Sequence, residues 1–136
     1  MENKRTIGVL LFAGALLALT GIHLAEFLYP GYSVSGNFIS DLGATCHATC
    51  IVYQPSAFIF NTSVILLGIL ILSSSFLIWK EFHSLIMTAL FCLSGLGAVG
   101  VGLFPETAGF LHVIAYPILL WAIGFGGYMM SPQQTA

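Results

Sequence analysis

The chain has 136 residues, a formal net charge of −2, and 58% apolar against 6% charged side chains. A water-soluble domain carries about a quarter charged residues, so three basic and five acidic side chains cannot cover a soluble surface of this size. The scarcity of Lys and Arg also excludes a nucleic-acid footprint and a basic patch for lipid headgroups. The partner the composition demands is the lipid bilayer.

The first predicted element is a helix over Thr6–Tyr29. Lys4–Arg5 ahead of an apolar run also fits a secretory signal. The run continues from Ile7 to Tyr29, however, longer than the 7–15 residues of a signal core, and Ile22-His23-Leu24-Ala25-Glu26 makes a poor cleavage site. A retained transmembrane helix is therefore expected, with Tyr29 and Tyr32 anchoring its outer end. His23 lies about 9 Å below that end at 1.5 Å per residue. Glu26 follows at i+3 on the same face.

A loop over 30–55 comes next. It contains Cys46-His47-Ala48-Thr49-Cys50, for which four readings stay open. Outside the cell, two neighbouring thiols most often form a structural disulfide. The alternatives are a redox pair with His47 lowering a thiol pKa, a Cys/His metal site completed from elsewhere, and inert thiols. Ser40-Asp41 near Asn37 is expected to cap a short helix in this loop.

The second helix is predicted over Ser56–Trp79, with Trp79 at its cytoplasmic interface. Asn61, two turns in, needs a hydrogen-bond partner in lipid, as helix–helix glue or as part of an outer cavity. After Lys80–His83 the third helix runs over Ser84–Phe104. Its Ser94, Gly95, Gly97, Gly100 and Gly102 point to close helix packing, with a smooth wall for a flat cofactor as the alternative. Cys92 is a small apolar residue in mid-span. A short Pro105–Thr107 connection leads to a fourth helix over Ala108–Met130, where Pro117 frees a carbonyl near Val113. Each stretch meets the ~20 residues that a ~30 Å hydrocarbon core requires.

Lys4, Arg5 and Lys80 are separated by an even number of crossings, so all the basic residues share one side. By the positive-inside bias that side is cytoplasmic. The expected fold is all-α: a single transmembrane domain over 1–136, an integral membrane four-helix bundle, multi-pass in the cell membrane with N and C termini cytoplasmic. Glu2, Glu81 and His83 then lie with the cations. His23, Glu26, Asp41, Cys46, His47, Cys50, Glu106 and His112 gather at the opposite face. Ionisable residues within a membrane span are costly and mark candidate sites.

Several stretches resemble an uncharacterised prokaryotic multi-span membrane family, domain of unknown function 998. They are Tyr29-Pro30-Gly31-Tyr32-Ser33, Asn37-Phe38-Ile39-Ser40-Asp41-Leu42-Gly43, Pro55-Ser56 with Phe60-Asn61, and Phe104-Pro105-Glu106 with His112. The resemblance implies a polytopic membrane protein and marks Asp41, Asn61, Glu106 and His112 as family-like positions. It implies no activity, and Cys46-His47-Cys50 is not part of it.

Three functions follow from these residues. In the first, His23, Glu26, Asp41, Glu106 and His112 form a polar site at the outer mouth for a small ligand or a divalent metal such as Zn²⁺. As an enzyme it would hydrolyse a lipid-borne ester or amide, with Asp41, Glu106 and His112 as catalytic candidates; thiol exchange through Cys46 and Cys50 is the runner-up chemistry. In the second, His23 and His112 ligate one haem b between the first and fourth helices. In the third, the chain is an accessory membrane subunit without chemistry, bound to other membrane subunits or to copies of itself.

Overall fold

Lipid offers the backbone of a long apolar stretch no hydrogen-bond partner, so every N–H and C=O must be satisfied within the segment, and a helix does this. The computed structural model describes residues 2–46 and 49–109. It contains three such helices: α1 (Glu2–Leu28), α2 (Ser56–Phe82) and α3 (Leu85–Leu103). All three are long and apolar enough to cross a membrane. At 1.5 Å per residue, α1 and α2 are about 40 Å long and α3 about 28 Å, against a hydrocarbon core of ~30 Å. The predicted boundaries stop short because α1 begins among the polar residues Glu2–Arg5 and α2 continues past Trp79. Hydrocarbon length, not helix length, sets where the apolar run ends. The fourth predicted helix, with Pro117 and His112, lies outside the described residues.

α2 packs against both α1 and α3. The contact with α1 is made by small residues at helical spacing, with Gly14, Ala18, Gly21 and Ala25 all buried. A Cβ on Gly21 would overlap the Ser63 side chain. On the other flank, Gly68 of α2 and Gly95 of α3 meet backbone to backbone: a Cβ on Gly68 would stand 2.7 Å from the Gly95 carbonyl oxygen. Gly95 and Gly102 thus serve close packing against α2, where a Cβ on Gly102 would stand 2.6 Å from the Asn61 carbonyl oxygen. Without a hydrophobic driving force between helices in lipid, such close approach supplies van der Waals attraction.

At one end, α2 turns into α3 through His83 and Ser84. His83 adopts the left-handed conformation (φ 49°, ψ 26°) and its N–H donates to the Trp79 carbonyl, closing α2. Ser84 then caps α3, its hydroxyl accepting from the Met87 N–H at 3.4 Å. Lys4 reaches Glu81 at 3.8 Å and lies over the Phe82 ring, so the start of α1 and the end of α2 share this end of the molecule. Lys80, in the last turn of α2, lies over the Phe76 ring. The basic residues therefore collect at this end.

At the opposite end, the α1–α2 connection folds back over the helices as a cap. It contains a 3-10 helix (Ile39–Leu42) and a two-stranded antiparallel hairpin, β1 (Thr45–Cys46) with β2 (Cys50–Ile51). Cys46 pairs with Cys50 in register, and a disulfide joins them. Leu42 enters the helix core among Ala25, Tyr29, Phe60, Val64 and Ala98. Gly43 is required beneath it, since a Cβ there would stand 2.6 Å from the Asn61 Oδ1 and 3.1 Å from the Phe60 ring.

Candidate functional site

At the cap end, hydrogen bonds within the chain engage two of the acidic side chains marked by the sequence, Asp41 and Glu106. Asp41 sits in the third position of the 3-10 helix, 1% exposed. Its Oδ2 accepts from the Phe38 backbone N–H at 3.0 Å and from the Asn37 amide at 3.1 Å. Asn37 in turn accepts from the Ser33 N–H through Oδ1 at 3.1 Å. A carboxylate placed near a helix start takes up N–H groups that have no intrahelical acceptor. Asp41 thus organises the loop from Ser33 to Leu42, the capping role expected of Ser40-Asp41, performed by the aspartate.

Glu106 follows α3 on the next connection, in a 3-10 turn over 106–109. Its two oxygens reach separate parts of the cap. Oε1 accepts from the Ser40 hydroxyl at 3.1 Å, and Oε2 accepts from the Cys46 N–H at 2.9 Å. One side chain thereby ties the 3-10 helix and β1 to the segment leaving α3. Each contact is a partly buried hydrogen bond, worth about 1 kcal/mol net. Sequence reasoning misses both contacts, because partners 66 and 60 residues away leave no local signature.

A third set of bonds runs through the tyrosines. Thr45 Oγ1 donates to the Asp41 carbonyl at 3.1 Å, so the 2.6 Å contact with Tyr29 has the phenol as donor. The Tyr29 ring makes edge contacts with Tyr32 and Tyr53, at 5.6 and 4.7 Å between centroids. Tyr29, at the end of α1 where an anchor is expected, is buried because the cap folds onto it. Burial, then the nearby carboxylates of Glu26 and Asp41 and the Tyr29 phenol, raise the Tyr32 phenol above its usual 10.0. Glu26 and Asp41 are therefore within electrostatic range of one point.

His23 takes a different place. It is exposed on α1, and its Nδ1–H donates to the Leu19 carbonyl one turn back at 2.8 Å. That bond leaves the lone pair on Nε2. The ring is thus engaged by its own helix and not by Glu26. Asn61 has a buried Oδ1 with no hydrogen-bond partner among the described residues. His47 and His112 lie outside the described residues, and with them parts of the metal and haem expectations. Among the described residues, no three His, Cys, Asp or Glu side chains stand together as a metal group.

The blocks that carried the family resemblance meet physically here. Residues 37–43 rest on Phe60–Asn61 of α2 and are held by Glu106. The chain belongs to the family described as "Protein of unknown function (DUF998)", matched over residues 12–136. No curated protein and no solved structure matches it.

Proposed function

We propose that this DUF998 member is a multi-pass protein of the cell membrane that works as a structural or accessory subunit, without reaction chemistry at its acidic end. One observation carries this reading. Asp41 and Glu106, the two carboxylates best placed for chemistry, accept hydrogen bonds from Phe38, Asn37, Ser40 and Cys46 and so hold the cap closed. The apolar helix faces supply the surface on which other membrane helices pack. Both termini are cytoplasmic and a fourth helix over 108–130 completes the bundle. The orientation is supported by the clustering of Lys4 with Glu81 at one end and of Asp41 with Glu106 at the other.

A second reading keeps the polar site for a small ligand or metal. It is favoured by the gathering of Glu26, Asp41 and Glu106 at one end, close to where a fourth helix would bring His112. Elemental and optical analysis of the full chain purified in detergent separates the readings. The structural reading expects no stoichiometric metal and no Soret band, and expects Glu106→Gln with His112→Ala to leave the activity of the host complex intact. Stoichiometric zinc lost in that double variant overturns it in favour of the metal site. A Soret band that shifts on reduction assigns His23 and His112 to haem b instead.

A further inference from the structure

The cap exposes apolar side chains where a water-facing loop would expose charges. Val34 is 81% exposed, Phe38 68%, Ile39 56%, Ile51 44% and Val52 45%. Between Glu26 and Lys80 the only carboxylate, ammonium or guanidinium group is Asp41, and it is buried. A water-exposed segment would carry about one charged residue in four. Among the described residues, the exposed surface of this segment carries none.

We propose that the cap lies against the membrane, its apolar residues seated in the headgroup and upper acyl region of the leaflet at that end. Three features fit this occupant. The cap continues directly from exposed aromatic residues at the helix ends, Phe27 in the last turn of α1 and Phe58 in the first turn of α2. Phe side chains are among those that segments lying in the interface bury at the boundary of headgroups and acyl chains. Next, the loop backbone bonds to itself: Gly36 and Asn37 donate to the Ser33 carbonyl, Gly43 and Ala44 to the Ser40 carbonyl, and β1 to β2. Each such bond lowers the cost of taking that N–H and C=O out of water. Finally, the exposed polar side chains of this surface, Ser33, Ser35, Thr49 and Gln54, are all uncharged, so none of them carries a charge into the headgroup region. Lacking cations, it takes a zwitterionic surface as readily as an anionic one.

This inference rests on α1–α3 crossing a bilayer, and the test separates the two. In a Trp79→Phe/Trp121→Phe background, Phe38→Trp and, separately, Phe12→Trp are reconstituted into phosphatidylcholine vesicles. Their fluorescence is read against aqueous iodide and against phosphatidylcholine brominated high or low on its chains. The exposed Phe12 lies near the middle of α1, so an indole there reports the span itself. In the Phe38→Trp variant the expected result is loss of emission to lipid brominated near the headgroup and little loss to iodide. In the Phe12→Trp variant it is loss of emission to deep bromines. If the cap indole is quenched by iodide, or is shielded from iodide and bromolipid alike as under a partner protein, the inference is overturned while the α1 indole still reports the span. Failure of the α1 indole to respond to bromolipid sinks the spanning reading itself. If the variants do not fold, the unmodified chain in vesicles containing a lipid with a photoreactive group near its glycerol gives the same answer. Cross-links within 34–39 and 51–52 support the inference, and their absence alongside cross-links to Phe27 or Phe58 refutes it.

Discussion

Substituting Gly68 by Ala tests whether backbone contact between α2 and α3 holds the bundle together. The new Cβ would stand 2.7 Å from the Gly95 carbonyl oxygen, 2.7 Å from Val99 Cγ2 and 2.8 Å from Val99 N. Two of those three atoms belong to the backbone, so no rotamer change relieves them. Reaching ordinary contact at 3.4 Å requires the helices to part by 3.4 − 2.7 = 0.7 Å. A gap of that size forfeits a quarter to a half of each affected van der Waals well; for about 40 atom pairs at ~0.15 kcal/mol, that is roughly 1.5–3 kcal/mol. Replacing Gly by Ala within a helix returns about 1 kcal/mol of backbone propensity. The net expectation is a destabilisation of roughly 0.5–2 kcal/mol, or about a 2–30-fold rise in the unfolded population. Gly8 supplies the control, because nothing lies within 4 Å of a Cβ there. Gly8→Ala should therefore stabilise by roughly 0.5–1 kcal/mol. Both are read by circular dichroism as dodecyl sulfate is titrated into protein in a mild detergent. Equal shifts of the two variants in the same direction would refute the steric argument.

Glu106→Ala removes the acceptor of both Ser40 and Cys46 and should cost about 2–3 kcal/mol, whereas Glu106→Gln retains one acceptor and should cost about 1 kcal/mol; hydrogen exchange at the Cys46 amide should quicken more in the first. Because the folded Tyr32 phenol titrates above the unfolded value of 10.0, its contribution is complete below pH 10 and declines as pH rises through the folded value. Tyr32→Phe should remove that alkaline loss, which stability measured from neutral to strongly alkaline pH would reveal. Cys50→Ser opens a closure of only a few residues and should cost about 2 kcal/mol on chain-entropy grounds. The effect should emerge as faster exchange over 45–51 with α1–α3 unchanged, and loosening of the helices would contradict it.

The three helices were legible because an apolar run of fixed length has one structural solution in lipid. Their ends were less so, since Glu2–Arg5 and Lys80–Phe82 are helical residues beyond the apolar stretch. The convergence of Asp41 and Glu106 at one end followed from counting crossings. Their use in folding the cap did not, because Ser40 and Cys46 meet Glu106 only through tertiary structure. The burial of Tyr29 was not legible for a related reason: a tyrosine at a helix end can face lipid or loop, and only the fold of residues 30–55 decides. The small-residue stripe of α1 was there to be found. Gly14, Ala18, Gly21 and Ala25 recur at intervals of four, three and four residues, the spacing of one helix face.

α2 is unusually rich in hydroxyls for a hydrocarbon environment, and most of them are turned onto their own helix. Ser63, Ser73 and Ser74 donate to carbonyls one turn back, and Ser75 to Leu72. Ser56, in the first turn, instead donates to the Leu42 carbonyl of the cap. Along its membrane-crossing length the helix consequently offers its neighbours contour and few donors. Register between α1, α2 and α3 is then set by fit, as a key is by its cuts, and a foreign segment of matching relief would be accepted whatever its polarity pattern. Designed transmembrane peptides that copy the glycine notches of α1 should compete for α2, and copies with the notches filled should not.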